Sequence, residues 1–427
     1  MSKILLTTFG SYGDLHPFLA IARILKGRGD DVTLATHEEY REYVERIGVR
    51  FVPLKPGLDE LGPQESWAAK ANHSLNGTQF IIRTLILPYL NDGYKTIKEI
   101  AVGHDLMISH ALTFATPVVA EELGIPWLSC VLQPSPFFSA YDPPALGFMT
   151  LLPRLKHLGP TVTSWVLKLL ASPTRRWLKP IDDLRTQVGL PVSPKNVLID
   201  GFSSFGTLAL FPSSFATAQP DWPDRVKQIG FPLFDEETTS DISAELQQFL
   251  EAGSQPVIFT LGTAIVKMET NYFEIAYEAI KRLGLRAVFL VGKNPRRVPS
   301  AARTDPDIHI SNYEPFSKLF PRGAVIVHQC GIGTTGQALA SGRPQILVPF
   351  AHDQPDNARR LVELGIGVSI PASRLNFARL THALKSVTQN EGFSQRATSL
   401  VTDLQVSGFD RRLQQAISEC LSHCRER

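Results

Sequence analysis

The stretch His328-Gln329-Cys330-Gly331-Ile332-Gly333-Thr334-Thr335-Gly336 follows an apolar run, Val325–Val327, that predicts a buried strand, and it leads into a predicted helix. Small residues let a backbone approach a ligand closely, and the start of a helix presents free N–H groups and a positive dipole end. Thr334 and Thr335 can add hydroxyl donors. The pattern suits a pyrophosphate, with His328 as a further donor to phosphate oxygen. Taken alone, it also fits a tight strand–helix connection.

A second loop of the same kind follows about twenty residues later. The stretch Val348-Pro349-Phe350-Ala351-His352-Asp353-Gln354-Pro355-Asp356-Asn357-Ala358 again leads from a strand into a helix. Asp353 supplies an acceptor and Gln354 an amide, which suits sugar hydroxyls, whereas the alternative for Asp353 is a helix N-cap. Two such loops at neighbouring strand ends indicate a binding site more strongly than either loop does alone.

On both sides of these loops, short apolar runs alternate with helical patterns through both halves of the chain. This alternation predicts an α/β protein with two doubly wound parallel-sheet domains facing across a cleft. We place the first domain at 1–234 and the second at 235–405, with 231–240 as the linker and 406–427 as a helix packing back toward the first domain. The predicted strands are Ile4–Thr7, Val32–Ala35, Arg50–Leu54, Leu106–Ser109, Trp127–Leu132, Val226–Ile229, Val257–Leu261, Ala287–Val291, Ile308–Ile310, Val325–Val327 and Gln345–Val348.

Size, charge and cysteine content limit the classes of function that are possible. A chain of 427 residues suits two domains, and its formal charge of +2, with no basic stripe, argues against a nucleic-acid binder. The four cysteines lack the paired spacing of a zinc site, so we expect free thiols and no metal. Neither a signal peptide nor an apolar run of about 20 residues is present, which favours the cytoplasm.

A candidate base lies in the turn that follows the first predicted strand. Asp14 and His16 belong to the stretch Gly10–Pro17, ahead of a helix predicted from about Pro17 to Lys26, and they face the same cleft as the two loops above. Removal of a proton from a hydroxyl needs a base within hydrogen-bond reach. We favour Asp14, then His16, then His110; the structural alternative is that Asp14 only fixes its own turn.

Aromatic residues mark a candidate pocket within the first predicted domain. Prolines cluster from Pro134 to Pro144 around Phe137, Phe138 and Tyr141, and a nearly all-apolar helix is predicted near Thr163–Leu170. Such residues line ligand clefts, so Phe137, Phe138 and Tyr141 are candidates for an apolar acceptor. A packed helical insertion is an equal alternative.

Together these motifs resemble the nucleotide-sugar glycosyltransferases of the two-domain, Rossmann-like GT-B fold. His328–Ala358 is similar to their donor-binding signature, Gly10–Pro17 to their acceptor-side loop, and Trp222–Pro232 and Leu261–Thr263 also match. Bacterial rhamnolipid rhamnosyltransferase chains and the sterol and antibiotic glucosyltransferases are the nearest groups. Many relatives carry histidine and glycine where this chain has Gln329 and Cys330, so the phosphate contact falls to His328 or to Gln329. The donor-binding residues that the resemblance implies are Gly262, Thr263, Tyr313, Phe316, His328, Gly331, Gly333, Thr334, Asp353 and Gln354.

The resemblance implies an inverting, metal-independent transferase. It would move a hexose, glucose or rhamnose, from a UDP- or dTDP-sugar to a hydroxyl of a small lipophilic acceptor, without a cofactor. We expect Asp14 to act as the base, at most peripheral membrane contact, and a monomer or weak dimer. The alternatives are a nucleotide-sugar epimerase of the same fold, which would need several carboxylates in the cleft, and a non-catalytic sugar-nucleotide or lipid-binding subunit.

Overall fold

The protein was examined as a computed structural model that describes residues 1–62, 64–147, 149–235, 241–262, 271–292, 298–405 and 408–425. Three predictions fall partly outside these ranges. Thr263, residues 236–240 of the linker, and residues 406, 407, 426 and 427 of the predicted last helix are not among the described residues.

The first sheet contains seven parallel strands in the order β3-β2-β1-β4-β5-β6-β7. Adjacent strands are hydrogen-bonded in register, for example Leu5 opposite Thr33 on one side and Met107 on the other. The order reverses between β1 and β4, and ligands of open parallel sheets bind at the carboxyl ends of strands at such a point. The strands are β1 (Lys3–Thr7), β2 (Asp31–Thr36), β3 (Arg50–Pro53), β4 (Leu106–His110), β5 (Trp127–Val131), β6 (Thr207–Ala209) and β7 (Val226–Gln228).

The second sheet has six parallel strands in the order β10-β9-β8-β11-β12-β13, and its order reverses between β8 and β11. Two sheets of this kind confirm the predicted fold class. The strands are β8 (Val257–Thr260), β9 (Ala287–Leu290), β10 (Ile308–Ser311), β11 (Val325–His328), β12 (Gln345–Leu347) and β13 (Gly367–Ser369).

Helices cover both faces of each sheet. They are α1 (Tyr12–Gly27), α2 (Arg41–Arg46), α3 (Leu58–Leu61), α4 (Gln64–Ala71), α5 (Gly77–Phe80), α6 (Leu90–Ala101), α7 (Ala115–Leu123), α8 (Pro160–Ala171), α9 (Thr174–Trp177), α10 (Lys179–Gln187), α11 (Ala244–Glu251), α12 (Tyr272–Leu283), α13 (Phe316–Leu319), α14 (Ile332–Ala340), α15 (Gln354–Glu363), α16 (Phe377–Gln389), α17 (Glu391–Gln405) and α18 (Phe409–Arg425). The run predicted to be helical from Phe377 to Cys420 is therefore divided into three helices.

Alternate residues of the central strands enter different hydrophobic clusters. In β1, Ile4 and Leu6 pack on one face of the sheet and Leu5 on the other, and in β8 Phe259 and Ile258 divide in the same way. Because successive side chains of a strand point to opposite faces, both faces of each sheet are buried under helices. The apolar composition of the strands follows from this burial.

One apolar cluster also joins the two halves of the molecule. Phe18 of α1 and Leu339 of α14 belong to the same buried cluster, as do Leu413 and Ile417 of the last helix. The last helix is further tied to the first half by an ion pair of 2.9 Å between Glu419 and Lys227. The loops at the carboxyl ends of the two sheets are thereby held close to each other.

Helix α1 begins five residues earlier than the sequence suggested. Its first residue is Tyr12, so Asp14 lies in the first helical turn and Pro17 lies inside the helix. The hydroxyl of Ser11 accepts a hydrogen bond from the Gly13 N–H, and the Asp14 carboxylate accepts one from the Ser11 N–H. This reciprocal capping satisfies N–H groups that the helix start leaves unpaired, which explains the early start.

Candidate functional site

A cavity of about 1450 Å³ lies between the carboxyl ends of the two sheets. The first half contributes loops that follow β1, β4 and β5, and the second half contributes loops that follow β8, β10, β11 and β12. The described part of the linker, residues 231–235, also reaches the wall. The two motifs singled out in the sequence therefore share one space.

Most of the predicted site residues line this cavity. Those that do are Asp14, His16, Phe138, Gly262, Tyr313, Phe316, Gly331, Gly333, Thr334, Asp353 and Gln354, together with His110 and Gln329.

Among the described residues, three predicted site residues do not line the cavity: Phe137, Tyr141 and His328, the last of which is treated below. Phe137 is buried in the core, where it stacks on Trp222 with ring centroids 4.4 Å apart. Tyr141 lies on the outer surface and is 44% exposed. Of the three aromatic residues predicted to bind an acceptor, only Phe138 faces the cavity. The sequence showed the aromatic composition of this loop but not the direction of each side chain.

The Asp14 carboxylate is divided between two tasks. Its Oδ2 accepts hydrogen bonds from the Ser11 N–H, at 2.8 Å, and from the Ser11 hydroxyl, at 3.1 Å. Its Oδ1 lies 3.6 Å from Nε2 of His110. Oδ2 therefore agrees with the alternative that Asp14 only fixes its own turn, whereas Oδ1 remains at the cavity wall. Gly10, at φ +137°, leaves room for this carboxylate, because a Cβ there would lie 2.3 Å from Oδ2.

The two histidines near Asp14 differ in their surroundings. His110 is 7% exposed, and desolvation lowers its pKa although the nearby Asp14 opposes the shift, so the imidazole is neutral. His16 packs against aromatic rings, with centroid distances of 5.6 Å to Tyr12 and 5.5 Å to Phe234. His110 is thus the histidine that faces the carboxylate.

The turn between β11 and α14 forms an uncapped helix start at the cavity. Gly331 occupies the N-cap position without a side-chain cap, and the first intrahelical bond runs from the Thr335 N–H to the Gly331 carbonyl at 2.9 Å. The N–H groups of residues 332–334 therefore have no acceptor inside the helix. Together with the positive dipole end, they make this turn suited to an anion.

His328 does not belong to this anion-binding surface, contrary to the prediction that it contacts phosphate. Its side chain is completely buried, Nε2 donates to Gln345 Oε1 at 2.9 Å, and Nδ1 accepts from the Cys330 N–H at 3.2 Å. Desolvation lowers the pKa of His328 to about 4, so the ring is neutral and both nitrogens are used. His328 therefore stabilises the turn from its buried side.

Gln329 takes the place at the cavity wall that His328 leaves. Its amide lies directly over Gly262, where a Cβ would be 2.0 Å from Nε2. Gly262 has φ +58°, a conformation that favours glycine, so both its backbone angle and its missing side chain admit the Gln329 amide. The alternative that Gln329 acts as a neutral donor is the one consistent with this geometry.

Asp353 and Gln354 lie at the start of α15 on the same side of the cavity. Asp353 stands at the N-cap position but makes no side-chain cap; its Oδ2 accepts from Asn357 Nδ2 at 2.6 Å. Desolvation in the wall raises the pKa of Asp353 to about 7. The Gln354 oxygen accepts from the Phe350 N–H at 2.8 Å, which leaves its Nε2 hydrogens for a ligand.

Asn357 is a site residue that the sequence reasoning missed. It is completely buried and donates both to Asp353 and to the Cys330 carbonyl, the latter at 2.9 Å. It therefore ties the loop after β11 to the loop after β12. Its spacing of four residues from Asp353 on one helix face was the signal that could have identified it.

Comparison with known proteins matches both halves of the chain. Residues 4–136 match the glycosyltransferase family 28 N-terminal domain, and residues 288–408 match the C-terminal domain of erythromycin biosynthesis protein CIII-like proteins. Glycosyltransferase GtfE of Amycolatopsis orientalis is 30% identical over 397 residues, which cover 91% of each chain. The chain belongs to the GT-B glycosyltransferases.

Two further relatives of this glycosyltransferase are named for different acceptors. O-mycaminosyltylonolide 6-deoxyallosyltransferase of Streptomyces fradiae is 28% identical over 403 residues, covering 93% of this chain and 92% of that protein. A sterol 3-beta-glucosyltransferase of Debaryomyces hansenii is 26% identical over 423 residues, which are 92% of this chain and 25% of that protein.

Solved structures share the fold of this glycosyltransferase at low identity. The glycotransferase of kitacinnamycin superposes with a TM-score of 0.73 at 21% identity, covering 98% of this chain and 99% of that chain. The glycosyltransferase VinC in complex with dTDP gives a TM-score of 0.65 at 18% identity, covering 98% and 99%. Both confirm the GT-B architecture.

Cys330 of this glycosyltransferase has a conformation that favours the glycine expected there from the family resemblance. Its φ is +68°, in the left-handed region, and its side chain is completely buried. Burial raises the pKa of its thiol well above the ordinary value, so the thiol remains protonated. Cys330 therefore packs beneath the turn and keeps the glycine-like backbone conformation.

Proposed function

We propose that this glycosyltransferase moves a hexose from a UDP- or dTDP-sugar to a hydroxyl group of a small lipophilic acceptor, with inversion at the sugar carbon and without a metal. The nucleotide sugar is a substrate, and no resident cofactor takes part. The observation that carries the proposal is that Asp14 and Thr334 line the same cavity from opposite halves of the molecule.

The donor half of the cavity supplies neutral hydrogen-bond donors for a diphosphate. The free N–H groups of residues 332–334, the Thr334 hydroxyl and the Gln329 amide converge at the start of α14. Such preorganised donors stabilise negative charge as it develops on a leaving group. This is the support for a metal-independent mechanism.

In this proposal the nucleoside and the sugar occupy different parts of the cavity wall. Tyr313 and Phe316 line the cavity and would contact the nucleoside, and buried Glu314 fixes their loop by accepting from the Ser243 hydroxyl at 2.6 Å. Asp353 and the Gln354 amide lie toward Asp14 and would bind sugar hydroxyls. The proposed donor sugar is glucose or rhamnose.

The acceptor half of the cavity is largely apolar. Leu85, Trp127, Phe138, Met149 and Trp177 contribute to its wall, and burial of an apolar molecule against such residues is favourable at about 25 cal/mol per Å². The names of two relatives agree with this chemistry, since one transfers to O-mycaminosyltylonolide and another to sterols. A lipophilic alcohol is therefore the proposed acceptor class.

In the proposed reaction Asp14 is the general base. Oδ1 takes the proton of the acceptor hydroxyl while Oδ2 remains bonded to Ser11. The hydroxyl oxygen attacks the sugar carbon from the face opposite the diphosphate, the bond from that carbon to the diphosphate oxygen breaks, and the diphosphate leaves onto the turn before α14. His110 Nε2 lies 3.6 Å from Oδ1 and would act electrostatically on this carboxylate.

The proposal is tested with a matrix of UDP- and dTDP-hexoses against hydroxylated lipids, sterols and polyketides. We expect release of nucleoside diphosphate that depends on one acceptor class and persists in EDTA, with a product whose anomeric configuration, measured by NMR, is opposite to that of the donor. Retention of configuration, or loss of turnover on chelation, would contradict the corresponding part of the mechanism. Absence of transfer with every pair would reject the substrate classes.

Replacement of Gln329 should weaken nucleotide binding, whereas replacement of His328 should lower stability. Gln329→Ala removes a donor from the cavity wall, so we expect nucleoside diphosphate to bind about 10- to 100-fold more weakly, since hydrogen bonds to charged groups contribute about 1.5–3 kcal/mol. His328→Ala leaves buried partners unpaired and should lower the free energy of unfolding by about 2–4 kcal/mol. Calorimetric titration and chemical denaturation measure the two effects, and a Gln329→Ala protein with unchanged affinity would remove Gln329 from the phosphate site.

The raised pKa of Asp353 predicts a pH dependence of donor use. Below pH 7 the carboxyl is neutral, and above it the carboxylate accepts hydrogen bonds from sugar hydroxyls more strongly. We therefore expect kcat/KM for the donor to rise through an apparent pKa near 7. In Asp353→Asn this step should vanish while any step caused by other groups remains. An unchanged profile would assign the titration elsewhere.

A further inference from the structure

Helix α8 presents an apolar face to solvent. Thr163, Leu167 and Ala171 form its buried side, whereas Val162, Trp165 and Leu169 are exposed, Trp165 by 66% and Leu169 by 56%. Their spacing places these three on one face of the helix. The exposed side chains of Leu151 and Leu158, just before the helix, continue the surface. Contiguous apolar surface of this kind marks an interaction site.

The segment that contains this apolar face carries positive but no negative side chains. From Pro143 to Ile181 the sequence contains no Asp or Glu, although the whole chain is nearly neutral at +2. No carboxylate among the described residues pairs with Arg154, Lys156, Lys168 or Arg176, whereas Lys179 pairs with Asp183. The six exposed cations of the segment are Arg154, Lys156, Lys168, Arg175, Arg176 and Lys179.

The same helix reaches the acceptor half of the cavity. Leu170 and Ala171 line the cavity wall, and Pro173 and Trp177 in the next turns line it as well. Leu170 follows Leu169 directly in sequence, so the exposed apolar face and the apolar cavity wall lie on adjoining sides of one helix.

We propose that this surface, called the docking face and formed by Leu151, Leu158, Val162, Trp165 and Leu169 with Lys156 and Lys168, binds the surface of an anionic lipid bilayer. A helix with exposed Trp and Leu beside Lys and Arg lies at the lipid interface, with its apolar side among the acyl chains and its cations on the headgroups. The proposed contact is peripheral; no helix among the described residues is long and apolar enough to cross a bilayer.

Charge favours a lipid surface over a second copy of the chain. In a two-fold symmetric dimer the same patch meets itself, so Lys156 and Lys168 of the docking face would be brought against the same two cations of the second copy. An anionic bilayer instead complements them, each Lys or Arg near the surface strengthening binding about fivefold. Delivery of a lipophilic acceptor from the bilayer to the cavity rests on the proposed function; the docking itself does not.

The full-length protein would be tested by flotation with vesicles of phosphatidylcholine alone or mixed with phosphatidylglycerol. We expect binding to the mixed vesicles, weakening with salt. Trp165→Ser/Leu169→Ser should bind at least about tenfold more weakly, and Lys156→Gln/Lys168→Gln more than about tenfold more weakly. Val102→Ser is the matched control, because Val102 is 73% exposed and remote from the face.

The outcomes separate docking from catalysis. Acceptor-dependent diphosphate release in detergent solution should be unchanged in both double variants, since none of the four residues lines the cavity. Absence of vesicle binding by the unmodified protein, or equal binding by all variants, would overturn the docking face. Self-association in sedimentation velocity that is lost in Trp165→Ser/Leu169→Ser, without vesicle binding, would assign the face to a second copy instead and equally reject the proposal.

Discussion

Replacement of Asp14 by asparagine is expected to lower turnover about a thousandfold while nucleoside diphosphate still binds. General bases contribute about 10²- to 10⁴-fold to rate, and the amide cannot accept the proton. The asparagine oxygen can still accept the hydrogen bond from the Ser11 N–H that caps α1, so the fold should persist. Initial rates of diphosphate release and calorimetric titration of the nucleotide measure the two quantities.

The matched variant for this prediction is Ser11→Ala, which removes a hydroxyl that bonds to Oδ2 but keeps the carboxylate. It should lower stability by about 1 kcal/mol, as loss of a helix cap does, and should leave turnover within about tenfold. A turnover of Asp14→Asn close to that of Ser11→Ala would show that Asp14 only caps its helix, and the base would then have to be His16 or His110.

Replacement of Asp356 by alanine is expected to lower the free energy of unfolding by about 3–5 kcal/mol. Asp356 is completely buried, accepts from Arg359 at 3.0 Å and Arg360 at 2.9 Å, and also accepts from the Ala145 N–H of the other half at 2.9 Å. Asp142 of the first half completes this charge cluster, lying 2.7 Å from Arg360. Removal of one partner leaves buried charges uncompensated, which is costly.

Chemical denaturation followed by circular dichroism measures this loss, and Glu363→Gln provides the comparison. Glu363 pairs with Arg359 at 3.0 Å, but its side chain is 55% exposed, so its replacement should change stability by less than about 1 kcal/mol. Equal effects of Asp356→Ala and Glu363→Gln would mean that the buried cluster does not hold the two halves together.

The repeated α/β plan could be predicted from sequence because the strands are apolar runs between helical patterns. Strands as long as β2 and β4 were found almost to the residue. Two strands were missed, β6 and β13, each of three residues. A run of three gives no period to detect, and Gly367 begins β13. β6 pairs with β5 and β7, and β13 pairs with β12 at the edge of its sheet, so both segments are extended because of their neighbours rather than their own preference.

The location of the site could be predicted, but the part each side chain plays in it could not. The two glycine-rich and polar loops were recognisable, and they meet at one cavity. The sequence did not show that His328 is buried by its bond to Gln345, because the partner lies on another strand. The early start of α1 depended on a local signal, Ser11 with Asp14 three residues later, whose strength was underestimated against Pro17.

The charge cluster also sets where this chain can be recombined with others. Asp142 follows the loop that carries Phe138, and its partners Arg359 and Arg360 lie on the helix that begins beside Asp353 and Gln354. A hybrid enzyme that keeps residues 1–234 and takes its second half from a different transferase would leave Asp142 and the Ala145 N–H without these partners. Introducing Asp356, Arg359 and Arg360 together into the second half restores these contacts. The three positions should therefore be changed as a unit in any such hybrid.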